Sequence, residues 1–296
     1  MPNAPVGKKR PTGRPPAARA PQRPNAARAR AEAERKRRSR VLYAIVATAA
    51  VVVLIVVLIV VKVAGGGSHS TKVASGTGEG APTPASVTAQ LAAVPVAQLA
   101  QASGGAKGPT PINGARLGGN GKPPEVLYIG AGYCPYCAAE RWPLITALLK
   151  FGTFTGLSDT HSSPNDVNPS TPTFSFHGAR YSSPYVTFTG IEETATDPNT
   201  RLDTPTAAEQ ALLEQYTQGT IPFVYFDGRY LLSGAQYDGS MLHGQTNEQI
   251  AAEVAKPSSP IGGAVQAAAG TIVKALCQLT GGQPGNVCSA FSGSGT

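Results

Sequence analysis

The stretch GAGYCPYCAAERWPL, residues 130–144, holds two of the chain's four cysteines, Cys134 and Cys137, with only Pro135 and Tyr136 between them. Two thiols at that spacing suit three chemistries. They can supply half of a zinc site, close a permanent staple, or make and break a disulfide in exchange with another molecule. The remaining cysteines, Cys277 and Cys288, lie far downstream, and the four histidines (69, 161, 177 and 243) are scattered without metal-ligand spacing. A proline directly after the first cysteine is unusual in a four-cysteine zinc site. No HExxH helix, GxSxG elbow or nucleotide loop is present, so neither metal nor cofactor is expected. GGNGKP comes nearest to a phosphate loop and fails: Arg116 replaces a required glycine, and Pro123 stands where a magnesium-binding Ser or Thr belongs.

The pair must be positioned by its neighbours. EVLYIG, 125–130, reads as a short apolar strand, and residues 134–152 as a helix with Pro135 in its first turn and Gly152 at its end. Ala138, Leu144, Ile145, Leu148 and Leu149 form its apolar stripe, and Pro143 predicts a kink. The first N–H groups of a helix lack partners and its dipole is positive there, so a Cys134 thiolate is stabilised. Cys137 lies one turn on, facing more inward. Cys134 is therefore expected as the exposed attacking thiol and Cys137 as the resolving one, with a permanent disulfide as the alternative.

Further along, residues 86–102 predict two short helices or one kinked at Pro95, and 103–124 are turn-rich. A polar loop is expected over 158–172, strands over 173–178 and 185–191, and a helix over 204–218 capped by Thr204 or Thr206. Residues 221–235 read as a hairpin around Asp227-Gly228, and 246–256 as a helix opened by a Thr246/Gln249 capping box. Strands and helices interleave, which predicts an α/β fold with a mixed sheet and flanking helices over 86–256. Residues 257–296 are expected as a C-terminal helix (263–280, with Val265, Ala269, Ile272, Val273 and Leu276 on one face) and a tail stapled by Cys277–Cys288. That second pair is read as a structural disulfide, with a relay to Cys134–Cys137 as the alternative.

The net charge of +8 is a property of one end. Residues 1–40 carry 13 Lys/Arg against 2 Glu, whereas the other 256 residues carry 12 Lys/Arg against 15 Asp/Glu. This Pro-rich basic tail is expected to be disordered. Its charge would permit nucleic-acid binding, but the apolar run directly after it favours a topology signal that touches anionic lipid. That run, VLYAIVATAAVVVLIVVLIVV, residues 41–61, has no charge and as a helix covers about 30 Å, a bilayer core. It is longer than a signal-peptide core, and Lys62 spoils cleavage after Ala64. A single transmembrane helix over 41–63 is expected, N-terminus cytoplasmic, followed by a Gly/Ser/Pro linker over 64–85 and an extracytoplasmic domain. All four cysteines then sit where disulfides persist.

Cys134-Pro135-Tyr136-Cys137 at a strand–helix junction, with GTIPF (219–223) entering a later strand at Pro222, resembles the thioredoxin superfamily. The resemblance implies a thioredoxin-like sheet with a cis Ile221–Pro222 bond opposite the cysteines. It also implies a thiol–disulfide oxidoreductase in which Tyr133, Pro135, Tyr136, Ile221 and Pro222 contact a protein thiol or disulfide substrate, with an unidentified redox-recycling partner. GAGYCPYCAAERWPLITALLKFGTF, TPTFSFHGARYSSPYVTF, IPFVYFDG and CQLTGGQPGNVC further resemble membrane-anchored actinobacterial and archaeal proteins of unsettled function that carry such a domain. Tyr128 stands where many thioredoxins have a buried acid, and Tyr133 where a tryptophan usually precedes the first cysteine. The 85 residues from Cys137 to Pro222 imply an insertion within 152–184 that forms a lid or substrate groove. A non-catalytic thioredoxin-like binding module is the competing reading.

Overall fold

A computed structural model describes residues 80–119 and 121–292. The expected basic tail, the membrane span and most of the linker lie outside these residues. In chain order the elements are α1 (Ala85–Ala93), α2 (Val96–Ala102), β1 (Thr110–Pro111), β2 (Glu125–Gly130), α3 (Pro135–Leu148), β3 (Thr153–Thr155), β4 (Ser158–His161), β5 (Pro172–Ser175), β6 (Arg180–Ser182), β7 (Thr187–Glu192), α4 (Ala207–Thr217), β8 (Phe223–Phe226), β9 (Tyr230–Ser233), α5 (Asn247–Val254), α6 (Pro260–Leu279) and α7 (Gly285–Cys288).

Five strands form one mixed sheet in the order β1-β9-β8-β2-β7. β2 pairs parallel with β7 and antiparallel with β8. A parallel neighbour requires a crossover, and α3 lies within it. Both faces of the sheet are covered. On β2, Val126 and Tyr128 join the larger core, with Trp142 and Leu144 of α3 and Val265, Ile272 and Leu276 of α6. Leu127 and Ile129 point to the other face, beside Leu213 of α4, Phe223 and Tyr225. That is why β2 is apolar from Val126 onward instead of alternating.

The β8–β9 hairpin turns at Asp227 and Gly228, both at positive φ (45° and 80°), closed by the Arg229 N–H on the Phe226 carbonyl at 2.9 Å. Asp227 then accepts from Arg116 Nε at 2.8 Å and from the backbone N–H groups of Leu117 and Gly118 at 2.9 and 3.1 Å. The glycine-rich loop that failed as a phosphate cradle thus holds a carboxylate of its own chain. Capping boxes open α4 at Thr206 and α5 at Thr246, so Thr206, not Thr204, is the cap.

α3 runs through Pro143. A helical proline leaves the carbonyl four residues back without its N–H partner. Here that is Ala139, whose oxygen accepts from the Tyr237 hydroxyl at 2.8 Å.

Three expectations change. Residues 158–172 are not all loop: β4 pairs antiparallel with β5, and β3 with β6, so 152–184 holds two small ladders. The 64–85 linker is not free at its end, because Pro82 bridges to Ser158 and the Thr83 N–H donates to the Leu157 carbonyl at 2.9 Å. The boundary drawn after residue 256 is not a packing boundary, since α6 shares its core with α3. Among the described residues α6 alone is long and apolar enough to cross a membrane, and most of it is buried in this core.

Candidate functional site

Three chain segments reach one edge of the sheet. β2 leaves it at Gly130, and in the β2/β7 register Gly130 is level with Glu192. The β2/β8 register pairs Ile129 with Phe223, which puts Pro222 at the same level. From Gly130 the chain turns through Ala131, Gly132 and Tyr133 into Cys134. Gly132 is required by a close approach: a Cβ there would stand 2.6 Å from the Ala195 carbonyl carbon and 2.7 Å from the Thr196 nitrogen. Its N–H donates to the Thr194 carbonyl at 2.7 Å, so the strand end after β7 clasps the turn.

Cys134 is the N-cap of α3, with Pro135 as first helical residue. Its Sγ accepts from the Cys137 N–H at 3.2 Å. Both cysteines are free thiols. The Cys137 thiol, donating to Cys134, holds the Cys134 pKa below its ordinary value; burial opposes this, while the Cys137 N–H and the Arg141 charge add to it. Burial pushes the Cys137 thiol well up, and its hydrogen bond to Cys134 pushes it further. One cysteine is therefore poised to ionise and its neighbour to keep its proton. The expectation of an exposed Cys134 needs correction: it is 5% exposed and Cys137 0%. The 194–196 segment closes on the preceding turn at Gly132. Pro135 and Pro222 are buried, Tyr133 and Ile221 half-buried, and Tyr136 is 50% exposed. The Ile221–Pro222 peptide is cis.

The sequence reading missed the charged groups beneath the pair. Arg141 is fully buried and forms a two-pronged ion pair with Glu192 of β7, Nε to Oε1 at 2.8 Å and Nη2 to Oε2 at 2.5 Å. Nη2 also donates to the Ala131 carbonyl at 3.0 Å, at the start of the cysteine turn. Burial works against the guanidinium charge, but Glu192 outweighs it and holds the pKa above its ordinary value. The guanidinium carbon lies 5.6 Å from the centre of the Tyr128 ring. Burial raises the Tyr128 phenol well above the ordinary value, so it stays neutral. Its hydroxyl is buried without a hydrogen-bond partner among the described residues. The available signal was helical spacing: positions 134, 137 and 141 share one face of α3. Glu192 carried none, since its partner is 51 positions away.

Glu140, also missed, is buried and accepts from the Gln236 N–H at 3.2 Å through Oε2, while Oε1 has no partner among the described residues. Burial raises its pKa well above the usual carboxylate range.

Cys277 and Cys288 are bonded to each other, with Cα atoms 5.4 Å apart, and tie the end of α6 to α7. That bond removes them from any shared zinc site with Cys134 and Cys137. Among the described residues no group of three or more His, Cys, Asp or Glu is gathered for a metal. His161, His177 and His243 lie in separate contacts, His177 Nδ1 2.7 Å from Asp203 Oδ1 and His243 Nδ1 3.1 Å from the Pro169 carbonyl.

The mixed α/β sheet with a dithiol at its strand–helix edge defines the structural class. Against known protein families, residues 110–217 match a domain of unknown function, DUF929. That stretch includes both cysteines, Arg141 and Glu192 and stops short of Ile221-Pro222. No curated protein and no solved structure matches the chain.

Proposed function

We propose that the chain is a membrane-anchored, thioredoxin-like thiol–disulfide oxidoreductase acting on proteins of the cell envelope or on secreted proteins. The observation that carries this reading is geometric: two free thiols share one helix N-terminus, Cys134 capping it with Sγ on the Cys137 N–H at 3.2 Å, above the buried Arg141 guanidinium that bonds the Ala131 carbonyl. The parallel β2–α3–β7 crossover, with Pro222 level with the end of β2, supports the thioredoxin-like arrangement and favours Ile221 and Pro222, with Tyr133, Pro135 and Tyr136, as the residues around the substrate.

In the reductive direction the Cys134 thiolate attacks one sulfur of a substrate disulfide. A Cys134–substrate disulfide forms, and the other substrate sulfur leaves as a thiolate that takes a proton from water. As the negative charge beside it disappears, Cys137 gives its proton to solvent, replacing the one taken by the first leaving thiolate, and then attacks the Cys134 sulfur. The internal Cys134–Cys137 disulfide forms and the second substrate thiolate leaves. Two electrons pass to the substrate, and a dithiol partner must restore the pair. In the oxidative direction each step runs in reverse and the partner is a disulfide. Arg141 favours either thiolate electrostatically.

The basic 1–40 segment and the apolar 41–61 run support an N-terminus in the cytoplasm, on anionic lipid, with the folded domain outside. The Cys277–Cys288 disulfide suits an oxidising compartment. The basic tail is assigned to lipid, not nucleic acid. The burial of Cys134 favours one rival, a binding module without turnover. Glutathione-coupled reduction of a peptide disulfide by the full-length chain separates the two. Turnover that falls at least ~100-fold in Cys134→Ser supports the enzyme; equal rates in both proteins refute it.

A further inference from the structure

Among the described residues two large apolar side chains are exposed, Tyr136 at 50% and Val167 at 70%. Tyr136 is the cysteine spacer. Val167 belongs to the connection between β4 and β5, far away in sequence, yet that connection is fixed against the same turn. The Ser163 N–H donates to the Tyr133 carbonyl at 2.9 Å. At its other end, a methyl carbon placed on Gly239 would stand 3.6 Å from Asn168 Nδ2, 3.1 Å from Ala139 Cβ and 3.8 Å from the Pro135 carbonyl oxygen. Asn168 and the Pro135–Ala139 turn of α3 therefore both close on Gly239. Residues 164–167 span between these two anchor points, past Tyr133 and Pro135.

The connection is cross-braced at its base. Ser162 Oγ donates to the Asn168 carbonyl at 3.1 Å and accepts from the Thr171 N–H at 2.9 Å. Asp166 Oδ1 accepts from the Val167 N–H at 2.6 Å. The rim is also acidic. Asp166 and Glu193 both act on the Tyr133 phenol, adding to burial and to the cysteines in raising its pKa. No Lys or Arg occurs in 130–140, 158–175, 193–200, 218–222 or 233–247; Arg201, whose backbone bridges to Thr194, follows the third of these segments. Arg141, underneath, is already matched by Glu192.

We propose that residues 163–168 are the substrate-selecting wall of the dithiol site: Val167 and Tyr136 receive an apolar side chain beside the substrate cysteine, and Asp166 and Glu193 favour a Lys or Arg near it. The occupant is an extended cationic polypeptide segment carrying a cysteine. Charge complementarity selects it, and the apolar pair gives it a foothold that a small thiol cannot use. This inference rests on the oxidoreductase reading and adds its substrate class.

The test uses the reduced full-length chain and four short peptides. Each has one cysteine blocked as the 5-thio-2-nitrobenzoate disulfide, flanked by Leu or Ser and by Lys or Glu. The same mixed disulfide of 2-mercaptoethanol is the small probe. Release of the coloured thiolate reports attack by Cys134. The Leu/Lys peptide should react about 3- to 10-fold faster than each singly altered peptide. Val167→Ser should erase the Leu preference, and Asp166→Asn with Glu193→Gln the Lys preference, both leaving the small probe unchanged. Equal rates on all four peptides with the small probe still active would overturn this inference alone. Failure of the small probe to react at Cys134 would overturn the oxidoreductase reading as well.

Discussion

The chain's two cysteine pairs differ in what surrounds them. Cys277 and Cys288 tie a helix end to a following turn and are bonded. Their sulfurs join the apolar core that includes Val287 and Phe291. Cys134 and Cys137 are free thiols over a buried ion pair and a buried phenol, with Cys134 capping a helix N-terminus. An apolar setting gives a thiol nothing to gain by ionising, whereas charge and N–H groups beneath a thiol make its ionisation adjustable. The groups underneath separate the two pairs more sharply than the spacing of the cysteines does.

Substitutions can break that contrast. The largest effect is expected at Cys134. Cys134→Ser should remove exchange activity, whereas Cys277→Ser with Cys288→Ser should leave it intact in the folded protein, as read by glutathione-coupled turnover. A relay role for the second pair would instead make both variants inactive.

Arg141→Met should cost about 3–5 kcal/mol in denaturant unfolding, because Glu192 is left buried and unpaired. Replacing both, Arg141→Met with Glu192→Met, should recover most of that stability. The Cys134 pKa should stay raised in the double variant, since the cation is gone from beneath it. Recovery of the original Cys134 pKa along with stability would remove Arg141 from the chemistry and leave it a structural residue.

Loss of the second disulfide, which spans 11 residues, should cost about 3 kcal/mol in the chain-entropy model. Its effect belongs to unfolding curves and not to exchange rates.

The smallest effect concerns pH. Glu140 is held protonated by burial, so its folded pKa lies above the unfolded one. The stability linked to that proton is full below the unfolded value, about 4.3, and is lost as pH rises towards the folded value. Glu140→Gln keeps an acceptor for the Gln236 N–H and removes the titration. Thermal unfolding across pH 4–8 should show a steeper fall in the parent than in the variant. Parallel curves would mean that Glu140 does not titrate there.

Much of the positioning apparatus was legible. EVLYIG matched β2 residue for residue because a strand covered on both faces reads as a continuous apolar run, here from Val126 to Gly130. The Thr246/Gln249 box and the Asp227-Gly228 turn depend on local hydrogen bonds and φ preferences, which short motifs encode. The β4 strand, Ser158-Asp159-Thr160-His161, was not legible. It has no apolar alternation, and its place comes from pairing with β5 and from Thr83, whose hydroxyl donates to Asp159 at 2.7 Å. α6 begins at Pro260, before the expected 263, because Ser259 caps it with Oγ on the Gly262 N–H at 2.9 Å. Within the site, the cysteines were visible from spacing alone. Arg141 was hidden beside Glu140 in a largely apolar helix, and Glu192 as an acid at a strand end. Only the parallel β2/β7 crossover brings them together.

The proposed activity depends on Cys134 and Cys137 forming a working dithiol with divided roles. The sharpest check is alkylation of the reduced full-length chain by iodoacetamide across pH 5–10, with each cysteine followed separately by peptide mass spectrometry. Cys134 should react with an apparent pKa below the ordinary value of about 8.5, while Cys137 stays protected well above it. Equal profiles at the ordinary value, or no reaction at Cys134 until the protein is unfolded, would refute that division of roles.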